Sequence, residues 1–291
     1  MPVKTKNFTW NSDFNISFTS NKIIKLERGQ TNMLSSVSWE FNYTSPLYIA
    51  QLNGPAAMFY GYIYDGNYQY ADFDEISLGK YVLKGNVPTN GLARATIQPG
   101  TIKYKDLNGD GVVNSLDLAI IGRPLPIHTG GWSNNFSYKN ISLNVFLQWS
   151  YGNDVFNANR VLLGGMALNR INTNQFTETN NRWTPENQNN EVFRAGGQGP
   201  IGYYDSRTIE DASFLRIKTV NFEYRFPSKL ISKVKLASLA LNISAENLFT
   251  FTKYTGMDPE VSTRNSVLTP GFDFAAYPRG RTVLLGIKVS F

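Results

Sequence analysis

The sequence predicts an all-β protein, specifically an antiparallel, membrane-spanning portion of a β-barrel with about six strands and long extracellular loops. The first observation is a strict alternation of apolar and polar residues over windows of strand length, which places one residue set on each face of a sheet. The second is that the connections between these windows alternate between long and short. Outer-membrane barrels have short periplasmic turns and longer extracellular loops, whereas a soluble antiparallel sandwich has no reason to collect its long connections at one end.

Three segments carry the clearest alternation. From Asn7 to Thr19 every odd position is polar, and the even positions include all four aromatic residues of the segment. From Ile141 to Trp149 and from Val283 to Phe291 the odd positions are apolar, with mainly polar or small residues between them. A tilted strand of ~9 to 11 residues is long enough to cross a bilayer. We therefore predict membrane strands in all three segments.

Weaker copies of the same pattern predict the remaining strands. They occupy Trp132 to Lys139, Phe214 to Phe226 and Leu236 to Leu248. In the second of these the phase of the alternation slips near Val220, which indicates a β-bulge or a strand that leaves its environment.

The strands and connections divide the chain into consecutive predicted ranges. These are a barrel strand at 1–19, a large extracellular loop region at 20–129, a barrel hairpin at 130–150, an extracellular loop at 151–212, a barrel hairpin at 213–249, an extracellular loop at 250–279 and a C-terminal barrel strand at 280–291.

Composition excludes several functional classes. The chain has 291 residues, a formal charge of +6 and no cysteine, which excludes disulfide frameworks, thiolate metal sites and Cys nucleophiles. His128 is the single histidine, and no carboxylate pair or serine motif points to it, so we expect no catalytic residue and no enzyme activity. No run of five or six Lys or Arg occurs, so a nucleic-acid partner is not expected.

The most specific motif is DLNGDGVVNSLD, from Asp106 to Asp117. Its oxygen-bearing residues fall at the positions of a calcium-binding loop, in which hard oxygen donors wrap around one cation and a glycine takes the sharp turn. The candidate ligands are Asp106, Asn108, Asp110, the Val112 carbonyl, Asn114 and Asp117. The competing interpretation is an empty turn whose side chains cap their own backbone. We favour a structural Ca²⁺ ion, and the Asp in place of Glu at the last position indicates weak binding.

Two groups of aromatic residues, the tyrosine-rich segment at 58–70 and the tryptophans near predicted strand ends, each have a functional and a structural interpretation. The segment MFYGYIYDGNYQY at 58–70 could stack on sugar rings, but a strand or loop packed by its own tyrosines is the interpretation we favour. Trp10, Trp132 and Trp149 lie near the ends of predicted strands, as is typical of a membrane interface, although a soluble core also uses Trp.

Together these motifs resemble the C-terminal part of the SusC/RagA family of TonB-dependent outer-membrane transporters. The resemblance covers essentially the whole chain, and only Arg123, Ala212 and Ala275 depart from the residues expected there. Its segments are IKYKDLNGDGVVNSLDLAIIGRPLPIHTGGWSNNFSYKNISLNVFLQWSYGNDVFN (102–157), RWTPENQNN (182–190), RTIEDASFLRIKTVNFEYRFP (207–227), SAENLFTFTKYTGMDPEVS (244–262) and TPGFDFAAYPRGRTVLLGIKVSF (269–291).

The resemblance implies a plugged barrel of about 22 strands, of which this chain would hold the last six. It implies import of oligosaccharides, or sometimes peptides, across the bacterial outer membrane, with a SusD-like surface lipoprotein as the lid and outer-membrane lipid around the barrel. The TonB complex would supply energy through a missing N-terminal part, so we expect Met1 to mark a truncated reading frame or a fragment.

Two other functions compete with this one. A soluble, calcium-stabilised β protein such as a carbohydrate-binding module would also alternate and carry a calcium loop. An ungated porin is disfavoured by the long loops. The sequence does not identify the imported molecule, because the resemblance assigns that choice to the loops and the lid.

Overall fold

The structure is a computed structural model that describes residues 3–27, 29–165, 172–264 and 266–291. The strands are β1 (Val3–Lys4), β2 (Phe8–Phe18), β3 (Asn32–Ser35), β4 (Tyr48–Gln51), β5 (Met58–Gly61), β6 (Tyr64–Asn67), β7 (Phe73–Ser77), β8 (Lys80–Leu83), β9 (Ile102–Tyr104), β10 (Ala119–Gly122), β11 (His128–Tyr138), β12 (Ile141–Tyr151), β13 (Asp154–Asn157), β14 (Ile209–Asp211), β15 (Phe214–Arg225), β16 (Ser238–Thr252), β17 (Phe272–Asp273) and β18 (Thr282–Ser290). The helices are α1 (Ala158–Leu163) and α2 (Ser228–Ile231), with 3₁₀ turns at Tyr70–Asp72, Arg94–Thr96, Ser115–Asp117, Thr177–Asn181, Ser206–Thr208 and Ser232–Val234. No helix in the described ranges is long and apolar enough to cross a membrane.

The largest sheet, which we call the wall sheet, contains β1 and the six long strands. Its spatial order is β1-β2-β11-β12-β15-β16-β18, which follows the order of the chain, and every neighbouring pair is antiparallel. Among the described residues β18 pairs with β16 alone, so its outer edge is open. The fold is therefore all-β and forms a portion of a barrel wall, as predicted.

The two ends of the wall sheet differ in their connections. The links β1–β2, β11–β12 and β15–β16 are short and lie at one end, which we call the short-connection end. The links at 19–127, 152–213 and 253–281 are long and lie at the other end. We call their described residues the loop body.

The long strands extend slightly past the predicted ranges where pairing continues. β16 was predicted to end at 249 but runs to Thr252, because Thr252 pairs with Phe214. β11 begins at His128 rather than 130, because His128 pairs with both Phe18 and Tyr151. The alternation slips in β15 because the register shifts between Ile217 and Thr219.

The hydrophobic core lies in the loop body and not in the wall sheet. The loop body folds into a four-stranded sheet (β10-β5-β4-β3), a three-stranded sheet (β14-β13-β17) and two strand pairs. All three long connections contribute to one buried cluster, which includes Leu47 and Phe59 from the first, Phe156 from the second and Phe272 from the third. These connections therefore form one packed layer, because residues of all three are needed to bury this cluster.

Candidate functional site

The register of the wall sheet collects apolar side chains on one face, which we call the apolar face. Because side chains alternate along a strand, Phe14 shares a face with its partner Trp132, and Phe222 shares it with Ile243. Many of these side chains are exposed, including Phe14 (63%) and Leu285 (79%). The face comprises Phe8, Trp10, Phe14, Ile16, Phe18, Trp132, Phe136, Tyr138, Ile141, Leu143, Val145, Leu147, Trp149, Tyr151, Leu215, Ile217, Val220, Phe222, Tyr224, Leu241, Ile243, Phe249, Phe251, Val283, Leu285, Ile287 and Val289. A continuous apolar face of this kind suits contact with hydrocarbon.

Three polar side chains lie among the apolar residues of this face, and each accepts a hydrogen bond from a tryptophan. In each case an indole N–H donates to a polar side chain on a neighbouring strand. The pairs are Trp132 with Ser12 Oγ (2.8 Å), Trp10 with Asn134 Oδ1 (3.0 Å) and Trp149 with His128 Nδ1 (3.1 Å). An unpaired N–H group in hydrocarbon costs several kcal/mol, so these pairs make the face compatible with a membrane.

The positions of these tryptophans correct one expectation. Trp132 lies in the middle of β11, opposite Phe14 and Leu147, and not near a strand end. Trp149 lies near the long-connection end, and Gly130 beside it has no room for a Cβ, which would meet the Trp149 ring at 2.1 Å. A period of two locates the face of a residue but not its depth, which is why the sequence missed this.

The opposite face, which we call the polar face, carries mainly amides and hydroxyls. Its residues include Asn11, Asn15, Ser133, Asn135, Ser142, Asn144, Gln148, Asn221, Asn242 and Ser244. Asn144 Nδ2 donates to Asn135 Oδ1 at 2.7 Å, so the amides also bond across strands. Phe146 is an apolar exception that lies over Gly131. The face is wettable, and its charged residues are of both signs, namely Asp13, Arg216, Glu223, Arg225, Glu246 and Lys288.

A cavity lies between the polar face and the loop body. Its volume is about 590 Å³, and its walls come from β2, β11 and β12 on one side and from the segment 259–262 on the other. Asn15, Gln148 and Glu260 supply polar groups, and Phe146 supplies an apolar surface. Such a mixture can hold a hydrated polar molecule.

A buried ionic network fixes the third long connection against the polar face. Arg216 Nη2 donates to Asp258 Oδ1 at 2.6 Å, and its Nη1 donates to Glu260 Oε2 at 3.0 Å. Arg279 contacts the same carboxylates, at 3.0 Å from Asp258 and 2.8 Å from Glu260. The side chains of Arg216 and Asp258 are only 3% and 7% exposed. The network joins β15 to both ends of the 253–281 connection.

Sequence reasoning missed this network. Arg216 is 42 residues from Asp258 and 44 from Glu260 in the chain, and it lies within a strand, where a charged residue indicates only which face is polar. Only the fold brings Asp258 and Arg279 to Arg216.

The residues of the candidate calcium loop form a closed turn. Asp106 accepts the Gly109 N–H at 2.7 Å and the Gly111 N–H at 2.8 Å, one on each carboxylate oxygen. Asp110 accepts the Val112 N–H at 2.8 Å. Val113 is buried in a core cluster and anchors the loop to the loop body.

Asp117, at the last position of this loop, holds its two ends together. It is fully buried, and its oxygens accept N–H groups of Leu107 at 2.8 Å and Asn114 at 2.8 Å. Within the described residues, no three His, Cys, Asp or Glu side chains gather as metal ligands. A cation in the loop would therefore depend on Asn108, Asn114 and the Val112 carbonyl as well as on carboxylates. Asp117 Oδ1 accepts a second N–H, from Asn108 at 3.4 Å. Every other carboxylate oxygen of the loop accepts one hydrogen bond and keeps a further lone pair, so these oxygens fit a hard cation.

The tyrosine-rich segment belongs to the core of the loop body. Tyr62 stacks on Tyr203 with ring centroids 4.3 Å apart, and Tyr68 is fully buried. The Tyr64 hydroxyl donates to the Asn190 carbonyl at 2.7 Å, and burial raises the pKa of Tyr64 to about 12. These rings pack within the protein, as the favoured interpretation held.

Curated relatives match the chain over its whole length. It is 33% identical over 294 residues to TonB-dependent receptor P3 of Formosa agariphila, with 99% of this chain and 27% of the relative covered. It is 29% identical to TonB-dependent receptor P26 of the same organism, covering 99% of this chain and 28% of the relative. It is 26% identical to TonB-dependent receptor SusC of Bacteroides thetaiotaomicron, covering 100% of this chain and 25% of the relative. The chain spans about a quarter of the length of these relatives.

Solved structures share the fold. The RagAB peptide importer in its open-open state matches with a TM-score of 0.69 and 24% identity, covering 99% of this chain and 27% of that chain. Its closed-closed state matches with a TM-score of 0.71 and 22% identity, covering 99% and 28%. No family profile matches the chain.

Proposed function

The chain belongs to the SusC/RagA family of TonB-dependent receptors, and from this premise we propose that it forms part of the wall and mouth of an outer-membrane nutrient importer. The observation that carries the proposal is the apolar face, which runs across all six long strands and includes exposed side chains such as Leu285. A soluble carbohydrate-binding module, the competing function, would leave this face in water, which is unfavourable.

In this proposal the loop body lies on the extracellular side and the short-connection end faces the periplasm. Short periplasmic turns and long extracellular loops are the rule for outer-membrane barrels. The ionic network of Arg216, Asp258, Glu260 and Arg279 then holds the 253–281 connection over the barrel interior. The loop body becomes a rigid mouth rather than a set of independent loops.

The cargo that this interior suits is a hydrated, mostly uncharged polymer. Amides and hydroxyls on the polar face can exchange hydrogen bonds with sugar hydroxyls or with peptide groups. Oligosaccharides, or peptides, are therefore the proposed substrates, with a SusD-like lipoprotein as the lid. The TonB complex would act through a part of the protein outside this chain.

We further propose that the loop from Asp106 to Asp117 holds a structural Ca²⁺ ion. The residues that would hold it are Asp106, Asn108, Asp110, the Val112 carbonyl, Asn114 and Asp117. Bound there, the ion would offset the charge of the clustered carboxylates and fix the loop against Val113 and its cluster. It would take no part in transport itself.

Single-cysteine labelling of the intact protein tests the membrane assignment. This chain has no cysteine, so, once any cysteine outside it has been replaced, Leu143→Cys and Asn144→Cys place single thiols on adjacent residues and opposite faces. A fluorophore on Leu143→Cys should be quenched by lipids with brominated tails, whereas Asn144→Cys should react with a water-soluble thiol reagent. Equal reaction of both thiols from water, with no quenching, would instead support a soluble module.

Uptake tests the substrate class. Cells that lack the intact protein should lose growth on an oligosaccharide or a peptide mixture as sole nutrient, and the gene supplied in trans should restore it. Unchanged growth on every such nutrient would contradict the import proposal while leaving the membrane assignment to the labelling experiment.

A further inference from the structure

The positive charge of the protein is concentrated at one end of the wall sheet. Around the short connections, residues 3–8, 136–143, 222–241 and 286–291 contain eight of the 28 basic residues and only one of the 22 acidic residues, Glu223. The rest of the chain holds 20 basic and 21 acidic residues. The whole excess of positive charge therefore lies at the short-connection end.

The lysines on the connections themselves are exposed and make no ion pair with any described residue. They are Lys6, Lys139, Lys229, Lys233 and Lys235. The remaining basic residues of this end lie on strands, and two of them, Arg225 and Lys288, pair with Glu223. The five connection lysines are thus free to meet an external anion.

Apolar and aromatic groups accompany these lysines. In the β15–β16 connection Leu230 (57% exposed) and Val234 (63% exposed) stand between the lysines. Tyr138 ends β11 on the apolar face, and the Lys139 ammonium lies 5.2 Å from the centre of its ring. Tyrosine rings at the border of an apolar band, with lysines just beyond, are typical of a membrane–water interface.

We propose that the connections at the short-connection end, through Lys6, Lys139, Lys229, Lys233 and Lys235, bind anionic phospholipid headgroups of the adjoining membrane leaflet. The inference rests on the proposed function, since it requires the apolar face to lie in a bilayer. The lysines then stand at headgroup depth, where each can approach a phosphate, and Leu230 and Val234 insert beside the acyl chains.

The arrangement favours lipid over a protein partner. The charges are lysines distributed over three separate connections along the whole width of the wall sheet, and flexible ammonium groups suit a fluid array of headgroups. A folded partner would be expected to meet a compact patch with bidentate arginine contacts.

The test uses the intact protein in three forms: wild type, a variant with all five connection lysines changed to glutamine, and a matched control. The control changes five exposed lysines of the loop body to glutamine, namely Lys22, Lys25, Lys80, Lys105 and Lys253. Each form is reconstituted into vesicles of phosphatidylcholine mixed with phosphatidylglycerol, extracted in mild detergent, and analysed by native mass spectrometry for retained lipid. Heat-modifiable migration is measured first, so that only inserted protein is compared.

Wild type and control should retain phosphatidylglycerol in preference to phosphatidylcholine. In the five-lysine variant the ratio of retained phosphatidylglycerol to retained phosphatidylcholine should be about tenfold lower. The wild-type preference should also fall with added salt, because screening weakens contacts between exposed charges. Equal preference in all three forms, equal loss in variant and control, or a salt-independent preference would overturn the inference. So would loss of a co-purifying protein with lipid retention unchanged.

If wild type itself fails to insert, the result contradicts the proposed function rather than the lipid-binding inference, so the two can be distinguished. If only the five-lysine variant fails to insert, a variant with the same lysines changed to arginine decides the matter. Since arginine keeps the charge, that variant should insert and retain phosphatidylglycerol as wild type does, and loss of retention there would overturn the inference.

Discussion

At the scale of single residues, Arg216 is the side chain that joins the wall sheet to the third long connection of the loop body. Its guanidinium contacts both Asp258 and Glu260, and it also donates from Nε to Thr250 Oγ1 at 3.0 Å. Arg216→Ala should lower the free energy of unfolding by about 1.5 to 3 kcal/mol, because Asp258 and Glu260 lose charge-assisted hydrogen bonds and keep only the contacts with Arg279. Urea unfolding of the intact protein in lipid, together with limited proteolysis of the 253–281 connection, measures the effect.

The control for this prediction is Arg225→Ala. Arg225 lies on the same strand and also pairs with a carboxylate, but its side chain is 73% exposed. Removing an exposed pair changes stability by only about 0 to 1 kcal/mol. Equal unfolding curves for the two variants would show that the ionic network contributes nothing to the position of the connection.

The tryptophan pairs of the apolar face make a second prediction at this scale. Trp10→Phe removes the donor and Asn134→Ala removes the acceptor of one pair. A double-mutant cycle should give a coupling of about 0.6 to 1.7 kcal/mol, the range of side-chain hydrogen bonds in membranes. Refolding into lipid vesicles measures each variant, and strictly additive losses would mean that the pair is not formed there.

At the scale of elements, the calcium loop makes a prediction that separates an ion site from a bare turn. Asp106→Ala combined with Asp110→Ala should abolish calcium uptake by the intact protein in titration calorimetry, because it removes carboxylate ligands of a hard cation. Asp65→Ala combined with Asp74→Ala removes the same charge from exposed positions of the loop body and should leave the titration unchanged. Identical titrations for wild type and the first variant would show that the loop is only a turn.

The elements also show where sequence patterns succeed and where they stop. The long strands were predictable because apolar and polar residues alternate within each one, and this pattern needs no knowledge of the neighbouring strands. The small sheets of the loop body have strands of two to five residues, too short for a period to emerge. Their cluster of Leu47, Phe59, Phe156 and Phe272 depends on contacts between three connections, which no local pattern contains.

At the scale of the whole molecule, we predict that these 291 residues alone form no stable monomeric pore. The open edge of β18 leaves N–H and C=O groups unpaired, which hydrocarbon does not tolerate. Six long strands are also fewer than the ~8 of the smallest bacterial barrels. The isolated chain should aggregate through its edges, or persist only by pairing with further strands.

Refolding the chain in detergent or lipid tests this prediction. Heat-modifiable migration and single-channel recording report a closed barrel, and the intact protein reconstituted in the same way serves as the positive control. A discrete, reproducible conductance from the isolated monomer would mean that the wall sheet closes on itself, contrary to the expectation.

The sequence by itself determined which residues share the apolar face and which share the polar face, because alternation is a local property of each strand. It also determined that the long connections share one end, and its motifs carried the family resemblance. Only the tertiary structure decided which polar residue meets which tryptophan across the strands, as with Trp10 and Asn134. It also brought Arg216, Asp258 and Arg279 together and gathered the lysines of three connections at one end. These are contacts between residues distant in the chain, and strand register, not composition or period, fixes them.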